Sequence, residues 1–252
     1  MRADQLLVER GLAATRSQAQ RLIASGVRWR DRADWRAVAK NGEEIPPQAD
    51  IELLDTAETK YVSRGGLKLQ AALAETRIEV RRKRCLDAGQ STGGFTDCLL
   101  RQDAGHVTGV DVGHGQLHPS LRADPRVTVI EKVNARELTR AHVGSDFDLI
   151  VADLSFISLR RVIGPLVTAC RSGGSLVLLV KPQFEAGRQE VSKGKGVISD
   201  PAIHDRVIGE IEDALVAHGC TVVGWTVSTL AGADGNREFL VHARTPRQGS
   251  HP

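Results

Sequence analysis

The chain has 252 residues, 41% of them hydrophobic and 26% charged, and a formal charge of +3. It is long enough to bury a real core as one large domain, or a large and a small one. No window approaches the ~20 apolar residues of a membrane span, so no membrane-spanning helix is expected.

The N-terminal "MRADQLLVERG" has charges where a signal peptide needs an apolar core, and the protein is expected in the cytoplasm. "DQLLVERGL" reads as a short helix. "TRSQAQRLIASG" reads as a second, with Thr15 and Gln18 as a capping pair, Ala19, Leu22 and Ile23 as its apolar stripe and Gly26 as its stop. "VRWR" and "ADIELL" follow as two strand-like pieces. The apolar pattern fades near Asp55 to Lys60, which predicts a boundary there, with domains at 1–60 and 61–245 and a disordered tail at 246–252.

From there strands and helices alternate. "RCLDAG", "HVTGVDV", "VTVIEKVN", "FDLIVADLSF", "GSLVLLVKP", "TVVGWTVSTL" and "EFLVHAR" read as strands, several as continuous apolar runs of the kind buried in a parallel sheet. "SDPAIHDRVIGEIEDALVAHG" predicts the clearest helix, capped by Asp200 and ended by Gly219, with Ile203, Val207, Ile211 and Leu215 on one face. The fold class expected is α/β, an open, doubly wound, mostly parallel sheet of Rossmann-like type, behind a small α+β module. Cys85, Cys98, Cys170 and Cys220 are scattered, without a C-x-x-C or clustered histidines. They predict reduced core residues and no metal site.

Charge is unevenly distributed. Met1–Lys40 holds nine Lys/Arg against four acids, and Tyr61–Arg84 seven against two, two basic islands that suit a polyanion partner. Ligands of a doubly wound sheet bind beyond the carboxyl ends of the strands. The strand ends carry Asp87-Ala-Gly89, Asp111, Asn134, Asp153 and Lys181, and the last strand begins at Glu238. The loop "LDAGQSTGG" is D-x-G-x-x-x-G-G and lacks the G-x-G-x-x-G of a dinucleotide site. An acid before the turn would repel a pyrophosphate, but it suits a cationic amino group such as the methionine end of S-adenosylmethionine. A glycine turn that only packs helix on strand is the plain alternative. Two lysines and two carboxylates (Lys68, Lys181, Asp153 and Glu238) meeting in one cleft would make a lysine a usable proton acceptor. "PQFEAGRQEVSKGKGVIS" has no apolar period and reads as a long functional loop, with Lys193 and Lys195 as mobile phosphate contacts.

"YVSRGGLKLQAAL", "LDAGQSTGGFTDCLL", "GVDVGHGQL", "DLSFISL", "LVKPQFEAGR" and "GADGNREF", in this order, closely resemble the TlyA family. Its members join an alpha-L (S4-type) RNA-binding domain to an FtsJ-like methyltransferase domain. The resemblance implies 2′-O-methylation of a cytidine in ribosomal RNA, with S-adenosylmethionine as cofactor and ribosomal subunits as partner. It implies a catalytic tetrad of Lys68, Asp153, Lys181 and Glu238, with Lys181 as base. It assigns Asp87, Gly89, Gly93 and Gly94 to the methionine end, Asp111 to the ribose and Asn134 to the adenine edge, with Ser91, Thr92 and Phe95 as further cofactor contacts and Asp153 bordering the cofactor. Arg2, Arg16, Arg21 and Arg64, with Lys193 and Lys195, are the implied RNA contacts. Gln90 departs from the small residue common in that loop, and Ala233-Asp234 depart from the usual proline-glutamate. The rival readings are a nicotinamide-dependent oxidoreductase, disfavoured by the missing glycine pattern, and a non-catalytic RNA-binding or assembly factor. The third is a haemolysin, for which no amphipathic or spanning segment is found.

Overall fold

In the computed structural model, residues 1–13, 15–31, 34–54, 60–232 and 234–247 are described. Most of the expected linker, Ala233 and the end of the tail lie outside them. The chain divides into two compact units, Met1–Arg64 and Gly65–Pro252.

The first unit contains α1 (Ala3–Glu9), α2 (Arg16–Gly26), β1 (Val27–Asp31), β2 (Asp34–Ala37) and β3 (Asp50–Leu53). Thr15 caps α2 by accepting the Gln18 N–H at 3.2 Å, and Ala19, Leu22 and Ile23 are buried as their spacing predicts. They pack with Leu6, Leu7, Val27, Trp29 and Ile45 into one core. The sheet is antiparallel, in the order β2-β1-β3. β2 was not expected from sequence. Its four residues are all exposed, so no apolar alternation marks it. Pairing with β1 forms it, and the Arg28 and Arg30 guanidinium carbons lie 4.9 and 5.5 Å from the Trp35 ring.

The second unit begins with α3 (Gly65–Thr76), β4 (Arg84–Ala88), α4 (Gly94–Arg101), β5 (His106–Asp111), α5 (Pro119–Arg122) and β6 (Val127–Glu131). It continues through α6 (Arg140–Val143), β7 (Phe147–Ala152), α7 (Ile163–Ala169) and β8 (Cys170–Val180). Then come α8 (Pro182–Glu185), α9 (Arg188–Lys193), α10 (Pro201–Ala217), β9 (Thr221–Val227) and β10 (Phe239–Arg244). The seven strands lie in the order β6-β5-β4-β7-β8-β10-β9. β4 to β8 are mutually parallel, and β10 runs antiparallel between β8 and β9. Leu86, Ile150, Leu176 and Leu178, on the central strands, join Phe147 and α10 residues Val207, Ile211 and Leu215 in the main core. Burial on both faces explains their unbroken apolar runs. The four cysteines are buried and unpaired, and burial pushes the Cys85 and Cys170 thiols up to about 12.

Two elements differ from the sequence reading. β8 starts at Cys170, earlier than the apolar run at Gly174, because its first residues are partly exposed. The segment after Lys181, expected as one long loop, folds as α8 and α9, too short for a helical period to register. The fully buried Asn236 holds the end of this segment, donating to the Gly196 carbonyl and accepting from the Ile198 N–H, both at 2.9 Å.

Candidate active site

Strand order reverses between β4 and β7, so both feed their carboxyl ends into the crevice where doubly wound sheets bind ligands. There the Asp153 N–H donates to the Ala88 carbonyl at 3.0 Å. The next residue, Gly89 (φ +86°), runs so close that a Cβ on it would lie 2.5 Å from the Asp153 carbonyl oxygen. Along this edge the strands bring Asp111 (β5), Asp87 and Gly89 (β4), Asp153 (β7) and Lys181 (β8) side by side. β10 runs the other way, with Phe239 opposite Val180, so Glu238 at its start falls beside Lys181. Adjacent strands are about 4.8 Å apart, which puts the Asp153 and Glu238 backbones about 10 Å from each other.

Two ion pairs occupy this edge. Lys181 Nζ lies 2.6 Å from Asp153 Oδ1 and donates to Ser155 Oγ at 2.9 Å. Lys68, carried by α3, pairs with Glu238, and both side chains are buried. The tetrad expected from sequence is therefore two lysine–carboxylate couples. Ser155 is an unforeseen second partner of Lys181; a lone serine beyond a strand carries no signal of its own.

The glycine loop is built around Asp87, which is 0% exposed. Its Oδ2 accepts from Thr96 Oγ1 at 2.7 Å, and Gln90 Nε2 donates to the same Thr96 oxygen at 2.9 Å. Gln90, unexplained by the sequence, is thus a buried strut. It fills the space over Gly109 of β5, where a Cβ would lie 1.9 Å from its amide nitrogen. Asp87 Oδ1 has no hydrogen-bond partner among the described residues. Burial, more than its neighbours Asp153 and Asp111, pushes this carboxyl up to about 7. Gly93 is the N-cap of α4 and Gly94 its first residue; Ser91 and Thr92 are exposed on the loop, while Phe95 is buried in the core.

Asp111 accepts the Ser91 N–H at 2.8 Å and the Gly113 N–H at 2.7 Å, so it ties the loops after β4 and β5 together. Asn134 Oδ1 accepts the Arg136 N–H at 3.0 Å, capping a short turn after β6. Val112 and Phe156 stand exposed beyond β5 and β7. Phe156 is 92% exposed and its ring centroid lies 5.1 Å from that of Phe184, which follows Lys181. Among the described residues, no group of three or more His, Cys, Asp or Glu could hold a metal ion.

The predicted RNA contacts are dispersed. In the first unit Arg2 and Arg16 converge on Asp4, a fully buried carboxylate. Arg2 donates to it at 3.1 and 3.0 Å, Arg16 at 2.8 Å and Gln20 at 3.3 Å. These bonds, Arg2's foremost, hold the Asp4 carboxyl well below the usual carboxylate range. Arg21 is half-buried and donates to the Ser17 carbonyl. Arg64 ends the first unit, and Lys193 and Lys195 are exposed at and beyond the end of α9.

This sheet order, with a glycine loop after its first strand and lysine–carboxylate couples along one edge, defines a methyltransferase fold with an equipped site. The model of FtsJ-like methyltransferases matches residues 61–245. TlyA of Mycobacterium tuberculosis, named a 16S/23S rRNA (cytidine-2'-O)-methyltransferase, is 44% identical over 244 residues, 97% of this chain and 90% of its own. Hemolysin A of Brachyspira hyodysenteriae is 38% identical over 248 residues, 96% of this chain and 99% of its own. A solved structure from Streptococcus thermophilus, named after the hemolysins, matches with TM-score 0.75 at 37% identity, covering 99% of this chain and 91% of its own. The chain belongs to the FtsJ-like methyltransferase family and, through these full-length relatives, to its TlyA branch. Among the described residues, no helix is long and apolar enough to cross a membrane.

Proposed function

We propose that the protein methylates the ribose 2′-hydroxyl of a cytidine in ribosomal RNA, with S-adenosylmethionine as cofactor. The observation that carries this reading is the pair of couples, Lys181–Asp153 and Lys68–Glu238, beside a glycine loop at the strand-order reversal. The named activity of the TlyA relative supports the substrate.

The residues suit the cofactor. Asp87 Oδ1 is a buried acceptor without a donor, which a cationic amino group would satisfy. Asp87, Gly89 and the run Ser91, Thr92, Gly93, Gly94 and Phe95 would hold the methionine end, the loop through its backbone. Asp111 would take the ribose and Asn134 the adenine edge, with Asp153 bordering the cofactor. When bound, S-adenosylmethionine supplies the methyl group as part of a sulfonium cation.

Lys181, as the neutral amine, would take the proton of the 2′-hydroxyl. Asp153 would then stabilise the ammonium that forms, and Ser155 would hold its direction. Lys68, clasped by Glu238, would orient and polarise the hydroxyl. A ribose hydroxyl carries no base identity, so choice of nucleotide needs contacts to RNA shape and phosphates elsewhere. Arg2, Arg16, Arg21 and Arg64, with Lys193 and Lys195, are the groups proposed for them.

Purified protein should transfer labelled methyl from S-adenosylmethionine to O2′ of a cytidine in ribosomal subunits lacking it. Lys181→Ala should lower turnover about a hundredfold or more while cofactor and subunit affinities hold. Methyl on a base atom, or full turnover by that variant, overturns the reading.

A further inference from the structure

Glu185 closes α8, four residues beyond Lys181, and is 5% exposed. Its Oε2 accepts from Ser158 Oγ at 2.5 Å and its Oε1 accepts the Leu159 N–H at 2.7 Å. Its backbone carbonyl accepts from Arg160 Nη2 at 3.1 Å. Every one of these donors lies just beyond the segment Asp153–Ile157, which leaves β7 carrying Asp153 and Ser155. One buried carboxylate therefore ties the strand-end loop of β7 to the strand-end loop of β8.

Burying a carboxylate costs several kcal/mol, and an apolar residue of similar volume would fill the space at less cost. Burial accordingly raises the carboxyl's pKa, while Ser158, Leu159 and Arg160 oppose the rise and Glu210 adds to it. The charge is spent beside a strained backbone. Phe156 has φ +62°, a left-handed conformation that a residue with a Cβ adopts only under strain. Such strain persists only where the surroundings over-determine it, and it gathers at functional sites. On one side of Phe156, Ser155 is held by Lys181; on the other, Ser158 and Leu159 are held by Glu185.

We infer that Glu185 is a positioning residue: it pins the loop after β7 so that Asp153 and Ser155 face the Lys181 ammonium. This rests on Lys181 acting in the methyl transfer proposed above. A misplacement of about 1 Å at such a site can cost about a hundredfold in rate, so the tie acts on turnover more than on ligand affinity.

The test uses the full chain with S-adenosylmethionine and unmodified ribosomal subunits. Glu185→Leu keeps the bulk and removes both acceptors; kcat should fall at least about tenfold, with cofactor Kd and subunit KM within about threefold. Glu185→Gln can accept from the Leu159 N–H and donate to Ser158 Oγ, so it should restore most of kcat. A folded Glu185→Leu enzyme with normal kcat, or one whose loss lies wholly in cofactor Kd, overturns the inference. Should that variant not fold, Ser158→Ala removes one of the tie's two side-chain bonds from the other loop, and unchanged kcat there overturns the inference equally. Failure of the wild-type protein to methylate subunits while still binding cofactor would instead strike the function proposed above.

Discussion

Gly89 and Asp153 approach so closely that a single Cβ on Gly89 would sit 2.5 Å from the Asp153 carbonyl oxygen. The glycine of the loop after β4 and the partner of Lys181 are thus one packing unit. Gly89→Ala must move that backbone as well as adopt φ +86°. We expect it to lower stability by more than about 2 kcal/mol in urea unfolding, and turnover with it. Unchanged unfolding and turnover would show that the approach is not constraining.

With Asp87 holding the cofactor's amino group as proposed, cofactor affinity should be linked to a proton. The Asp87 carboxyl stands at about 7 in the fold against about 3.9 in an unfolded chain. The folded state therefore holds the extra proton between those values, and stability falls as pH rises through them, by on the order of 4 kcal/mol in total. Asp87→Asn should raise the melting temperature at pH 8 more than at pH 5. A cationic ligand group favours the carboxylate, so S-adenosylmethionine should bind more tightly at pH 8 than at pH 6. Calorimetry should show that gain lost in Asp87→Asn.

His242 on β10 carries the opposite slope. It is buried, neither ring nitrogen has a partner among the described residues, and burial lowers its pKa to about 4. The unfolded chain, at about 6.5, takes up the proton first. Stability is thus lost as pH falls from about 6.5 toward 4, by up to roughly 3 kcal/mol. Over that window the Asp87 and His242 effects offset each other in the wild-type protein. His242→Leu should leave the Asp87 slope exposed, with melting temperature rising as pH falls. A melting profile with the wild-type shape would refute this.

In the first unit, Arg16 is tied to the buried Asp4, and Arg21 donates to the Ser17 carbonyl. Arg21→Ala should reduce the slope of log subunit affinity against log salt by about one. Arg16→Ala should weaken the fold as well, because it strips a donor from a buried carboxylate. Wild-type melting by Arg16→Ala would show that Asp4 does not need Arg16.

Much of this was legible beforehand because it is local. Asp87, Asp111, Asp153 and Lys181 lie at or just beyond the ends of apolar runs, and runs buried on both faces read as central strands. Thr15 and Asp200 sit one residue before the helices they cap. β2 was illegible since its residues are all exposed, and α8 and α9 were too short to show a period.

The sequence by itself determined the β–α alternation, the strand ends and the residue types waiting there, since each depends on neighbours a few positions away. Only the tertiary structure decided how those residues are used. Lys68 meets Glu238 across 170 positions, Arg16 is drawn to Asp4, Gln90 becomes a strut against Thr96, and Glu185 reaches back to Ser158. Such pairings follow from strand order and burial, which bring distant groups into one low-dielectric space where an unpaired polar atom is costly.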